Sequence, residues 1–197
     1  MPARSRPYRS GSGARVPWLL ILALAAAAIG CESGPASSAG GVSGELVPVE
    51  DLTRDLVRAE RRAAGDPDVA IRMGLAGPAG DRRLALIADA PARITWRRRL
   101  PERAAIVTAV WLESGAGAIA RVGIADDRTY EVLARVELHE HGVRAWQPLV
   151  VDLGGYAGWQ WSLFYRPGDT EWRLVFSVDA SPGGTIAWGG VEIRKRP

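Results

Sequence analysis

Cysteine is nearly missing from this 197-residue sequence, in which Cys31 stands alone. One thiol excludes a disulfide within the chain and any zinc site built from cysteines. Histidine is almost as scarce, limited to His139 and His141 on one short stretch. That leaves little from which to assemble a Ser-His-Asp triad, and neither G-x-S-x-G nor H-E-x-x-H occurs. Lysine occurs once, as Lys195, so the cations are almost all arginine. A long apolar run is lacking too. Val16–Ile29 falls short of the roughly 20 residues a spanning helix needs.

The formal charge of +3 and pI near 9.5 suggest a nucleic-acid partner only until the charges are located. Arg4, Arg6, Arg9 and Arg15 all precede Cys31, with no acid among them. Without that leader the chain carries one net negative charge, so it lacks the basic excess that nucleic-acid binding needs. A positive n-region followed by a short apolar core is the pattern of an export signal. It ends Ala28-Ile29-Gly30-Cys31, which resembles a bacterial lipobox, with Ala28 where Leu is more usual. The resemblance implies cleavage after Gly30 and a diacylglyceryl group on Cys31, with a further palmitate-type chain. Two chains anchor stably, at roughly 0.8 kcal/mol per buried methylene. Cys31–Gly44 is rich in Gly, Ser and Ala and reads as a flexible tether. Glu32, where Asp would retain an inner-membrane lipoprotein, favours the outer membrane in a Gram-negative organism. The expected location is lipid-anchored, facing the periplasm or the exterior.

Residues 45–67 read as a short helical segment. Over Pro48–Ala64, Val49, Leu52, Leu56 and Ala59 recur at spacings of three and four, with Gly65 and Pro67 as a stop. From residue 68 to 197 the pattern is strand throughout: Val69–Leu75, Arg83–Ala88, Arg93–Leu100, Ile106–Glu113, Ala118–Ala125, Tyr130–Leu138, Trp146–Asp152, Trp159–Arg166, Trp172–Val178 and Thr185–Ile193. Ile94, Trp96 and Arg98 share one face, and Thr95, Arg97 and Arg99 the other. Many short strands without intervening helices predict an all-β sandwich.

The segment Trp146–Gly158 (W-x-x-x-x-x-D-L-x-x-Y-A-G), an apolar strand, and then Trp188-Gly189-x-x-x-Ile193 resembles the galactose-binding-domain-like jelly rolls. These occur as carbohydrate-binding modules and as accessory modules of bacterial sulfatases, glycosidases and glycosyltransferases. Related modules often place Asn or Asp, then Pro, after the Trp-Gly pair; Gly190 and Val191 stand here instead. Physically, Asp152 is suited to capping backbone N–H groups, Leu153 to anchoring inward, and Tyr156 to reaching a backbone partner with its hydroxyl.

Other signals are weaker. Gly115-Ala116-Gly117-Ala118-Ile119-Ala120 fits a dinucleotide-loop pattern but joins two strands, so it reads as a hairpin turn. His139-Glu140-His141 reads as a solvated strand end, and Asp66, Asp68, Asp126 and Asp127 as helix-stop and turn residues, although a structural Ca2+ in those loops is conceivable chemistry. Arg97, Arg98 and Arg99 read as a solvated strand edge. Eight tryptophans are the strongest functional hint, because an exposed indole stacks on the apolar face of a sugar. Trp159, Trp172 and Trp146 are the candidate ligand contacts, while Trp96, Trp111, Trp161 and Trp188 are expected in the core. The expectation is a non-catalytic, cofactor-free envelope module that binds a glycan or an envelope protein. The alternative is a structural subunit of a sulfatase- or glycosyltransferase-type membrane enzyme, with no ligand of its own.

Overall fold

The computed structural model describes residues 45–142, 144–156, 171–180 and 183–197. Among these residues eleven strands form two antiparallel sheets, the sandwich the sequence predicts; the expected strand Trp159–Arg166, with Trp161, lies outside the described residues. The six-stranded sheet holds β1 (Val47–Asp51), β3 (Ile71–Ala76), β4 (Arg83–Asp89), β6 (Ala104–Ser114), β9 (Gln147–Asp152) and β11 (Thr185–Lys195), in the order β3-β4-β11-β6-β9, with β1 also on β11. The five-stranded sheet holds β2 (Glu60–Ala63), β5 (Ala92–Arg99), β7 (Gly117–Ala125), β8 (Tyr130–His139) and β10 (Glu171–Val178), in the order β2-β5-β10-β7-β8. Among the described strands only β3–β4 and β7–β8 are successive and paired with each other; the other steps from one described strand to the next change sheet, as in a jelly roll.

Alternation in each strand sends one set of side chains into the space between the sheets. Trp96, Phe176 and Trp188 form its aromatic centre, edge to face at 5.5 and 5.1 Å between centroids. Around them lie Ile94, Ile106, Ile124, Leu174, Ile186 and Ile193. Trp96 and Trp188 are core residues as expected, whereas Trp111 points out of the sandwich, beside Trp146.

Further readings need correction. No helix forms over Pro48–Ala64: Val47–Asp51 pairs with β11, a 3-10 turn covers Leu56–Arg58, and Glu60–Ala63 pairs with β5. Tertiary pairing overrides the local period, and Leu52 and Leu56 are buried through a turn. The helix that does form, α1 (Pro67–Ala70), is one turn long and occupies the start of the expected strand Val69–Leu75. Gly115-Ala116 is no hairpin, because it carries the chain from β6 in one sheet to β7 in the other. There Gly115, with φ at 95°, lies so close to Gly184 that a Cβ would come within 2.7 Å of its Cα. Finally, Arg98 is not on a solvated edge. It faces inward, bonds Glu50 at 2.6 Å and pairs with Asp55, while Arg97 and Arg99 are exposed.

The motif that suggested the jelly roll works structurally. Asp152 accepts from the Gly154 N–H at 2.8 Å, and Leu153 is fully buried. Tyr156 donates to the Glu131 carboxylate at 2.5 Å, not to a backbone group. Burial first, and then that carboxylate, push its phenol up to about 12. Gly190-Val191 forms a bulge within β11, where the Val191 N–H donates to the Thr53 hydroxyl at 2.9 Å. The Val191 carbonyl accepts from the Leu52 N–H at 2.8 Å, so both backbone groups of Val191 are engaged within the fold.

Candidate functional site

Of the three tryptophans chosen from sequence, the two that are described, Trp146 and Trp172, share no site. Trp159 falls outside the described residues. Trp172, opposite Arg98 on the inward side of β10, is half-buried against the core and meets Tyr156 edge to face at 5.4 Å. Trp146 is 7% exposed, on the outer face of the six-stranded sheet. Its ring covers Ala76, Ala85, Ala109 and Ala187, and a Cβ on Gly189 would come within 2.9 Å of it. Its Nε1 donates to the Asp81 carbonyl at 2.9 Å, and the Arg83 guanidinium lies over the ring at 5.4 Å. Asp81 in turn binds Arg83 through both oxygens, at 2.8 and 2.7 Å, which holds its carboxyl below the usual range. This indole has no open face for a sugar. It seals a sheet.

The open site is on the outer face of the five-stranded sheet. Register places Glu60, Thr95, Val175, Gly123 and Val132 side by side across its five strands. Thr95, Val175 and Gly123 are buried although they face outward, because taller neighbours rise around them. Those neighbours are Tyr130, the 126–129 turn and Arg173, which pairs with Asp127, on one side and Arg62 and Arg93 on the other. The result is a cleft of about 410 Å³, joined through Arg62, Arg93 and Tyr130 to a second of about 440 Å³ bordered by Arg121, Ser177 and Asp179. Both volumes fall in the range of ligand clefts, roughly 300–1,000 Å³.

Tyr130 is the central aromatic. It lies against Gly123, where a Cβ would come within 2.7 Å of Cε2 and 2.8 Å of the hydroxyl oxygen. The missing side chain lets the ring sit down on the sheet. Arg93 lies 5.7 Å from the ring centroid, and the tyrosine remains 45% exposed. The turn beside it is closed by its own hydrogen bonds. Asp126 Oδ1 accepts from the N–H groups of Arg128 (2.7 Å) and Thr129 (2.6 Å) and from the Thr129 hydroxyl (3.0 Å). Those bonds, the Arg128 N–H foremost, hold the carboxyl below its ordinary range.

The acidic loop residues are therefore occupied. Asp126 builds its turn, Asp127 pairs with Arg173, Asp66 caps α1 through the Asp68 N–H at 2.9 Å, and Asp68 pairs with Arg61 at 2.7 Å. His139 ends β8 and is exposed, as is His141 just beyond it. Among the described residues, no three His, Cys, Asp or Glu gather closely enough to hold a metal ion.

No protein-family model and no curated protein matches the chain. Among solved structures it is similar to the CBM51-2 and INT domains of ZmpB from Clostridium perfringens, at 11% identity over 70% of this chain and 30% of that one (TM-score 0.46). It is also similar to TmCBM61, solved with β-1,4-galactotriose, at 11% identity over 72% and 90% of the two chains (TM-score 0.47). A third is the xylan-binding module CBM15, at 12% identity over 78% and 99% (TM-score 0.46). The chain spans under a third of the first of these structures.

Proposed function

We propose that this chain is a non-catalytic glycan-binding module, held at a bacterial membrane by lipid on Cys31. The observation that carries the reading is the exposed Tyr130 ring seated on Gly123 in a groove that crosses five strands. An aromatic face offers apolar contact to the C–H face of a sugar, and the arginines and Glu60 around it supply hydrogen bonds to hydroxyls. A groove open along the sheet admits a chain rather than a single small molecule. Supporting the anchor are the leader, the lipobox-like Ala28-Ile29-Gly30-Cys31 and the tether that follows.

Polysaccharide binding by the protein and its Tyr130→Ala variant tests the groove. The variant should lose about tenfold in affinity with its melting temperature little changed. Equal affinity for both would remove Tyr130 from the site. Mass spectrometry of the native protein tests the anchor, with a diacylated Cys31 expected at its N-terminus.

One observation favours a second reading, that of a partner subunit. Met73, Leu75 and Leu84 stay exposed on adjoining β3 and β4. Co-purification of a stoichiometric membrane enzyme without glycan affinity would decide for it.

A further inference from the structure

The groove carries a charge pattern that local sequence does not reveal. Arg62 of β2 stands directly opposite Arg93 of β5, Arg93 opposite Ser177 of β10, Ser177 opposite Arg121 of β7, and Arg121 opposite Arg135 of β8. One row across the sheet thus holds four arginines and a serine, next to the row of Thr95, Val175 and Gly123 that floors the groove. Like charges directly opposite each other in a sheet are destabilising. Three of the four have a carboxylate: Arg62 has Glu60 at 2.5 Å, Arg121 has Asp179 at 2.6 Å and Arg135 has Glu137 at 2.6 Å. Arg93, in the middle and against Tyr130, has no carboxylate within 4 Å among the described residues.

On the reading of this groove as a glycan site, we infer that its ligand is an acidic glycan, bearing a carboxylate or sulfate that docks on Arg93 while the sugar ring lies on Tyr130. Guanidinium and carboxylate or sulfate match as fork to fork, with two parallel hydrogen bonds. An anion there also relieves the repulsion between Arg62 and Arg93. A neutral glycan leaves that repulsion in place.

The test uses the full-length protein in detergent and two matched polymer pairs: polygalacturonate with its fully methyl-esterified form, and dextran sulfate with dextran. The first pair reads carboxylate recognition and the second sulfate. The acidic member of at least one pair should bind at least about tenfold more tightly, weaken with added salt, and lose about tenfold in Arg93→Gln but not in the exposed control Arg58→Gln. Equal binding of acidic and neutral members, both lost in Tyr130→Ala, overturns the acidic ligand and leaves the glycan groove standing. Equal losses in Arg93→Gln and Arg58→Gln reduce the effect to overall charge and overturn the inference. So does equally tight binding of single-stranded DNA. If none of the four polymers binds, both the inference and the glycan reading fall.

Discussion

The outer faces of the two sheets are built from the same alternating pattern and end in opposite states. On the six-stranded sheet the residues beneath Trp146 are mostly small, Ala85, Ala109, Ala187 and Gly189, with Arg83 over the indole. On the five-stranded sheet the outward residues include Arg62, Arg93, Arg121, Arg135 and Arg173, with Tyr130 half exposed among them. One aromatic is spent closing a surface and the other is left facing solvent. The identity of an aromatic therefore says little about its use; the size and polarity of what lies beneath and beside it decide.

The sharpest way to break this comparison is Trp146→Ala. It should cost about 3–5 kcal/mol in chemical denaturation by exposing the alanine floor, while leaving groove affinity in any surviving folded protein intact. A loss of only a few tenths would mean that the indole is not a second core. Next comes Gly123→Ala, whose Cβ would meet the Glu131 carbonyl and the Tyr130 ring at 2.7 Å. A cost of about 1–3 kcal/mol and a displaced tyrosine are expected, so stability and glycan affinity fall together.

Tyr156 gives a pH signature at the mouth of the core. Its phenol titrates near 12 in the folded chain, against 10 as its ordinary value. The raised value means that the neutral phenol favours folding below pH 10 and that this contribution disappears as pH climbs from 10 to about 12. Tyr156→Phe should flatten that part of the stability profile, and an unchanged slope would assign it to other groups. The smallest expected effect on stability is that of Arg93→Gln. It removes a like-charge neighbour of Arg62, so the melting temperature should hold or rise slightly, by no more than about 0.5 kcal/mol in stability, even as affinity falls. A clear destabilisation would recast Arg93 as a structural residue.

The strands were legible because alternation and turn residues are local signals; β4, β5, β7, β8, β10 and β11 begin or end within two residues of where the pattern puts them. The first strand was hidden because its partner, β11, lies more than 130 residues away, and four apolar positions spaced like a helix also suit a strand and a turn that buries Leu52 and Leu56. The site was hidden for the same kind of reason. Arg62, Arg93, Arg121 and Arg135 are scattered in sequence and become neighbours only through strand register. Tyr130 acquires its setting from Gly123, across a hairpin with a bulge. Tryptophan count pointed to aromatic chemistry in general and to Trp159, Trp172 and Trp146; of these the fold uses Trp146 as a lid and sets Trp172 half-buried against the core.

The contact between Gly115 and Gly184 has a further consequence. Two turns that each hand the chain from one sheet to the other are pressed together with no room for a side chain on Gly115. Neither can be lengthened or redecorated independently, so the faces presented by β6, β7 and β11 are fixed relative to one another. A one-residue slip of β7 against its neighbours would turn Arg121 inward and Val122 outward, exchanging the outer face for the core. The 126–129 turn is the opposite kind of position: it borders the groove, is closed by bonds to its own Asp126, and braces neither sheet against the other.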